Sequence, residues 1–153
     1  MVVRFKKEPT MTSTRNRVPL HSPVQDNLKI RRTLQANVAY FAEHREQIAG
    51  RLRELDEEWD IERAIEANAA AIGLTGIALA AGRDRRWLAL PALVSGFLLQ
   101  HAIQGWCPPV PILRKLGFRT SYEIEEERRA LKALRGDFGQ IAETADAALR
   151  VSA

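Results

Sequence analysis

Two long stretches without a charged residue, separated by a short charged turn, are the feature that most constrains how this chain folds. Residues 67–82 contain no Asp, Glu, Lys or Arg, and neither do residues 87–113. The turn between them, residues 83–86, reads Arg-Asp-Arg-Arg. As α-helices, residues 61–82 and 87–106 would be about 33 Å and about 30 Å long, and the hydrocarbon core of a bilayer is about 30 Å thick. The pattern predicts an all-α protein with a transmembrane helical hairpin.

The residues within these stretches fit a pair of helices in lipid. Trp87 and Trp106 lie at the two ends of the second helix, where tryptophan favours the membrane–water interface. Small residues, which let helix backbones approach closely in lipid, recur along both helices. They are Ala69, Gly73, Gly76, Ala80, Ala92 and Gly96. The alternative is a soluble hairpin buried in a helical bundle, although a soluble helix normally has a polar face and neither of these helices has one.

The flanking segments divide the rest of the chain. Residues 1–22 are predicted to be a disordered basic tail, which carries the whole net charge of +4. Residues 23–60 are predicted to be an amphipathic helical segment that Gly50 divides, and residues 61–120 are the hairpin with a Cys-Pro motif. Residues 121–153 are predicted to be a C-terminal cytoplasmic helix.

Capping residues and charge asymmetry give the helix ends and the orientation. Asp60 is a predicted N-cap, Thr120 with Glu123 matches a capping box, and Gly136 is a predicted helix end. Lys and Arg near the hairpin are more numerous on the side of the termini than in the turn. The positive-inside rule therefore predicts that both termini are cytoplasmic.

The single cysteine, Cys107, follows the second helix and precedes a proline-rich segment that cannot continue that helix. One interpretation is a thiol packed at the helix end. A second is a persulfide-carrying or redox-sensitive thiol, although a helix C-terminus disfavours the thiolate that reactivity requires. A third is a thiol in contact with a metal or haem. Arg114 and Lys115 are expected where cations meet lipid phosphates.

Other polar residues near the hairpin suggest structural roles. Gln100, His101 and Gln104 lie in the last turns of the second helix, where an interfacial or helix–helix hydrogen-bonding role is expected. The glutamates at positions 123 and 125–127 are interpreted as a solvated helix face. The sequence has no metal-ligand spacing, no Gly-rich phosphate loop and no aromatic-interleaved basic patch. We therefore expect no cofactor, no metal, no catalytic residue and no specific nucleic-acid partner.

One group of residues resembles a known family motif. The motif consists of Gly105, Trp106, Cys107, Pro108, Leu116, Gly117 and Thr120. With two short apolar helices before it, this pattern resembles the YgaP-like transmembrane domain family of small bacterial inner-membrane proteins, a domain that also anchors a membrane-bound rhodanese. The resemblance implies a self-associating helical hairpin in the bacterial cytoplasmic membrane. It does not imply sulfur transfer, because the rhodanese catalytic loop has no counterpart in this chain.

These observations favour a small integral membrane protein without catalytic activity. It would act as an anchor or scaffold that self-associates, or that binds a protein partner through its cytoplasmic helices. Two alternatives stay open. One is a membrane sulfur or redox relay that uses Cys107, and the other is a soluble helical interaction module.

Overall fold

The computed structural model describes residues 15–138, and within that range the chain is helical with no strand. The predictions for residues 1–14 of the basic tail and for residues 139–153 of the C-terminal segment lie outside the described residues. The seven α-helices of the described range are α1 (Arg17–Leu20), α2 (Val24–Glu43), α3 (Ile48–Glu57), α4 (Ile61–Gly82), α5 (Ala89–Gln104), α6 (Val110–Leu116) and α7 (Ser121–Arg135). Short 3₁₀ turns at Arg45–Gln47 and Arg85–Leu88 precede α3 and α5. The predicted all-α class is confirmed.

The predicted capping residues define the helix ends. The Asp60 side chain accepts a hydrogen bond from the Arg63 backbone N–H at 2.7 Å, at the start of α4. Thr120 and Glu123 form both hydrogen bonds of a capping box at the start of α7. Gly136, at φ +93°, ends α7. Each of these signals is local, which is why the sequence alone was sufficient.

The proline-rich segment contains a helix that the sequence did not predict. Gly105 ends α5 before the prolines are reached, and Pro109 is the N-cap of α6, with Pro111 in its first turn. Proline is well tolerated at the beginning of a helix, because the first N–H groups have no intrahelical partner. Gly117, at φ +98°, ends α6.

Two predicted boundaries are wrong. The amphipathic segment is divided at His44, which ends α2, whereas Gly50 lies inside α3. The predicted disorder of residues 1–22 does not hold for Arg17–Leu20, which form α1. Val18 of α1 is buried in the core, and a single buried residue in a polar segment carries no periodic signal.

Helices α1, α2, α3, α6 and α7, together with the first turns of α4, form a charged unit that we call the body. The body has two apolar clusters. One joins α3 and α7 through Ile48, Leu52, Leu55, Ile124 and Leu131. The other surrounds the first turns of α4 and contains Val18, Ile61, Ala64, Ile65, Cys107, Val110 and Leu113. Helices α4 and α5, which we call the hairpin, pack against each other and meet the body at this second cluster.

Candidate functional site

The hairpin surface beyond the body is apolar and exposed. The segments Arg45–Gly82 and Arg85–Gln104 each contain a stretch long and apolar enough to cross a membrane. Only 17% and 6% of those stretches are buried, so other described residues leave most of their surface uncovered. Leu74 on α4 is 67% exposed and Leu99 on α5 is 63% exposed. The remaining large exposed apolar side chains are Ile72, Ile77, Leu93 and Ile103 on the two helices, and Trp87 and Leu88 in the 3₁₀ turn between them.

One glycine controls how closely the two hairpin helices approach. An added Cβ on Gly76 would lie 2.6 Å from Cδ of Pro91 and 3.1 Å from Cβ of Leu90. The α4 backbone therefore packs directly on the first turn of α5, as expected for small residues between helices in lipid.

The other small residues predicted for helix packing have different environments. Ala69 is buried and Ala80 is half-buried, whereas Ala92 is exposed. An added Cβ on Gly73 or on Gly96 would meet no atom within 4 Å. These two glycines are therefore not used to pack the hairpin within the described chain.

Cys107 lies in the apolar cluster at the base of the hairpin. Its side chain is buried, with 4% exposed, and burial raises the pKa of the thiol. Reactive cysteines are partly exposed and have a lowered pKa, so this environment is that of a packed thiol. Reactivity itself stays a prediction. Cys107 also lines an apolar groove of about 370 Å³ between α4 and α5, together with Ile72, Leu93 and Pro109.

The predicted polar group at the end of α5 is divided between the body and the surface. His101 is buried, and neither ring nitrogen has a hydrogen-bond partner among residues 15–138. Gln100 is half-buried and Gln104 is exposed. The neighbouring Ala102 carbonyl accepts a hydrogen bond from Arg17 Nη1 at 3.2 Å, so α1 contacts the last turn of α5. The predicted interfacial or hydrogen-bonding role of these three residues stays a prediction.

The residues of the Gly-Trp-Cys-Pro and Leu-Gly motif lie at chain turns. Gly105, at φ +76°, ends α5, and an added Cβ would lie 2.6 Å from the Arg17 backbone. Gly117 ends α6 and Thr120 caps α7. Of the other motif residues, Trp106 is half-buried, Pro108 is exposed and Leu116 is exposed on the outer face of α6. The motif therefore directs the chain from the hairpin back into the body.

The body is held together by buried ion pairs that the sequence analysis missed. Glu127 is fully buried and accepts hydrogen bonds from Arg51 at 2.9 Å, from Asn37 at 3.2 Å and from Arg119. Arg119 also donates to Glu58, through Nε at 2.7 Å. Asn37 on α2, Arg51 on α3 and Arg119 in the turn before α7 therefore all meet at Glu127 on α7. We call Arg51, Glu58, Arg119 and Glu127 the buried network. The interpretation of Glu127 as part of a solvated face is wrong.

A second buried pair corrects the expectation for Arg114. Its side chain is fully buried, donating to Glu123 at 2.6 Å and 2.9 Å and to Asn27 Oδ1 at 2.6 Å. Arg114 therefore does not reach lipid phosphates, whereas the neighbouring Lys115 is exposed. Arg114 joins α6 to α2 and to the start of α7.

The charges in these pairs stabilise each other. Burial alone would raise the pKa of Glu127, but the hydrogen bonds and positive charges of Arg51 and Arg119 outweigh burial and lower it. The pKa of Glu123 is likewise lowered, because Arg114 and the Thr120 backbone outweigh the effect of burial. Both carboxylates are therefore ionised at neutral pH and serve as structural partners of arginine.

A signal for one of these residues was present in the sequence. Ile124 and Leu131 lie on the buried face of α7, and Glu127 is three residues after the first and four before the second. Such spacing places Glu127 on the same helix face. The partners could not be identified from spacing, because Arg51 is 76 residues away in the chain.

The described residues contain no group of three or more His, Cys, Asp or Glu side chains that could hold a metal ion. No family model matches the chain, and neither a curated protein nor a solved structure is significantly similar to it. The resemblance to the YgaP-like family therefore stays a prediction.

Proposed function

We propose that this protein is a small integral membrane protein that acts as a non-catalytic anchor or scaffold. The observation that carries the proposal is the hairpin, whose apolar side chains are exposed beyond a charged, separately packed body. Exposed apolar surface of this extent is unfavourable in water and favourable in lipid. The hairpin would hold the protein in a bilayer, and the body would lie at the membrane surface.

Self-association is part of this proposal. Gly73 and Gly96 have open space where a Cβ would lie, and Ala92 is exposed one turn before Gly96. In lipid, small residues on an open helix face permit close contact with another helix. The lipid-facing side of the hairpin could thus contact a second copy, while the exposed faces of α2 and α7 remain available to a protein partner.

The proposed location is the bacterial cytoplasmic membrane, with both termini and the body on the cytoplasmic side. Two considerations support it, namely the excess of Lys and Arg on the side of the termini and the resemblance to the YgaP-like family. The body contains most of the charged residues and is on the same side of the hairpin as both described chain ends.

The environment of Cys107 favours the anchor over a sulfur or redox relay. A relay needs a thiolate that a second molecule can reach. Cys107 is buried among apolar residues, and its pKa is raised. The relay therefore has no specific support from the geometry.

Alkaline carbonate extraction of membranes from expressing bacteria tests the anchor. We expect the protein to stay in the pellet and to require detergent. A variant with Leu74→Glu and Leu99→Glu should lose membrane retention, because each charge would enter the hydrocarbon core at a cost of about 2–3 kcal/mol or more.

The matched control introduces the same charges on the body. Leu116 is 70% exposed on α6, and Leu28 is exposed on α2. A variant with Leu116→Glu and Leu28→Glu should therefore remain in the pellet. Release of the unaltered protein by carbonate, or equal behaviour of the two double variants, would contradict the proposal and favour a soluble interaction module.

A further inference from the structure

The part of the hairpin that has neither a charged residue nor a contact with the body is shorter than a typical bilayer core. On α4 the lipid-facing part lies between two exposed charged residues, Glu66 and Arg83. The 16 residues 67–82 between them span about 24 Å as an α-helix. A typical hydrocarbon core is about 30 Å thick.

The part of α5 that lies outside the body is about as long as that of α4. His101 is buried in the body, and the Arg17 guanidinium binds the Ala102 carbonyl, so the polar body begins at this turn. Counted from Trp87, in the 3₁₀ turn that continues into α5, the chain spans about 21 Å to Gln100 and about 25 Å if the exposed Ile103 is included. The body therefore prevents the hairpin from using the full length of its uncharged sequence.

The tip of the hairpin carries three arginines. Arg83, Arg85 and Arg86 are all exposed, and only Arg86 has a carboxylate partner in the described chain, Asp84 at 3.7 Å. Long cationic side chains extend toward the nearest headgroups when their backbone lies below the interface. The three arginine side chains therefore extend the reach of the short hairpin toward the far headgroups. Their guanidinium groups must, however, stay outside the hydrocarbon core.

We propose that the hairpin fits a bilayer whose hydrocarbon core is about 21–25 Å thick, with the tip arginines at the far headgroups. The inference rests on the proposed function, since it concerns the membrane that the hairpin enters. A span that is too short thins the bilayer around it at an energetic cost for each ångström of mismatch. The protein should therefore partition toward thin membranes or thin membrane regions.

A competition between two vesicle populations tests this preference. The full-length protein is synthesised with equal amounts of dimyristoleoyl- and dioleoyl-phosphatidylcholine vesicles, which are separated afterwards by the density of entrapped sucrose. We expect about tenfold more protein in the thinner dimyristoleoyl vesicles, as follows from a mismatch of several ångströms.

A lengthened hairpin is the matched control. One turn, Leu-Ala-Leu-Ala, inserted after Ile72 in α4 and after Val94 in α5 adds about 6 Å to each helix. The tip contact of Gly76 with Pro91 is kept, and the body is unchanged. This variant should lose the preference for thin vesicles or reverse it. If short-chain lipid simply accepted any hairpin more easily, the lengthened variant would keep the preference.

The outcomes separate the two proposals. Recovery of the unaltered protein in neither vesicle population would overturn the proposed membrane function. Recovery in both at equal amounts, or the same thin-vesicle preference for the unaltered and lengthened hairpins, would overturn the thickness inference and leave the membrane function intact.

Discussion

Replacement of Glu127 by Gln tests whether the buried network holds the body together. Glutamine keeps one acceptor oxygen but directs an amide N–H₂ group at one of the arginines. Arg51 and Arg119 would then lose their shared carboxylate, although Arg51 keeps Glu54 and Arg119 keeps Glu58. Breaking a buried ion pair costs about 3–5 kcal/mol, and the remaining carboxylates place the expected loss near 3 kcal/mol. That loss corresponds to a fall in Tm of about 12–24 °C for a domain of about 60–100 residues, which is the size of the body.

The adjacent residue provides the control. Among residues 15–138, Glu126 has one ion-pair partner, Arg31 at 3.5 Å, and the two side chains are 33% and 56% exposed. Such a surface pair contributes about 0–1 kcal/mol, so Glu126→Gln should shift Tm by a few degrees at most. Both variants are melted as full-length protein in dodecyl maltoside and followed by circular dichroism. Equal shifts for the two variants, or an unchanged Tm for Glu127→Gln, would refute the assigned role of the buried network.

The hairpin packing, the two ionised glutamates and the buried thiol can each be tested separately. Gly76→Ala should weaken the hairpin by about 1–3 kcal/mol through its clash with Pro91. Gly82→Ala, whose added Cβ would meet no atom within 4 Å, should be neutral or stabilise α4 by up to about 1 kcal/mol. SDS titration monitored by tryptophan fluorescence compares the two variants, and equal effects would contradict the packing. The pKa of Glu123, like that of Glu127, is lowered in the folded body, so the unfolded chain binds protons more readily. The stability that these groups contribute should be complete above the unfolded pKa of about 4.3 and should be lost as pH falls below it, which melting curves between neutral pH and pH 3 would check; a Tm independent of pH would contradict it. Cys107 should react with N-ethylmaleimide at least about tenfold more slowly in the folded protein than in the unfolded chain, and Cys107→Ser should leave membrane retention unchanged; fast alkylation would favour the relay.

Features set by neighbouring residues could be predicted from the sequence. Asp60 as an N-cap depends only on the next helical turn, and the capping box of Thr120 with Glu123 spans one turn. The uncharged stretch that becomes α4 is likewise continuous in the chain. Helix α6 was missed because Pro109 and Pro111 were interpreted only as residues that end a helix, although proline also favours the start of one.

The burial of charge could not be predicted, because it depends on which distant segments meet. Arg114 and Lys115 are adjacent and chemically similar, yet one is fully buried and the other exposed. What distinguishes them is that Arg114 faces Asn27, which is 87 residues away in the chain. No periodicity within α6, which has seven residues, would separate the two.

The body is stabilised by buried ion pairs because this chain places many of its apolar residues outside the body. Many of its large apolar side chains lie on the exposed hairpin, and the described part of the body has two small apolar clusters. The buried network joins α3 to α7 and thus connects chain segments that precede and follow the hairpin. The backbone carbonyl of Arg119, a member of this network, also accepts a hydrogen bond from the N–H of Ile61 at 2.8 Å. Since Ile61 is the first residue of α4, the residue that pairs with Glu58 and Glu127 also fixes where the hairpin leaves the body.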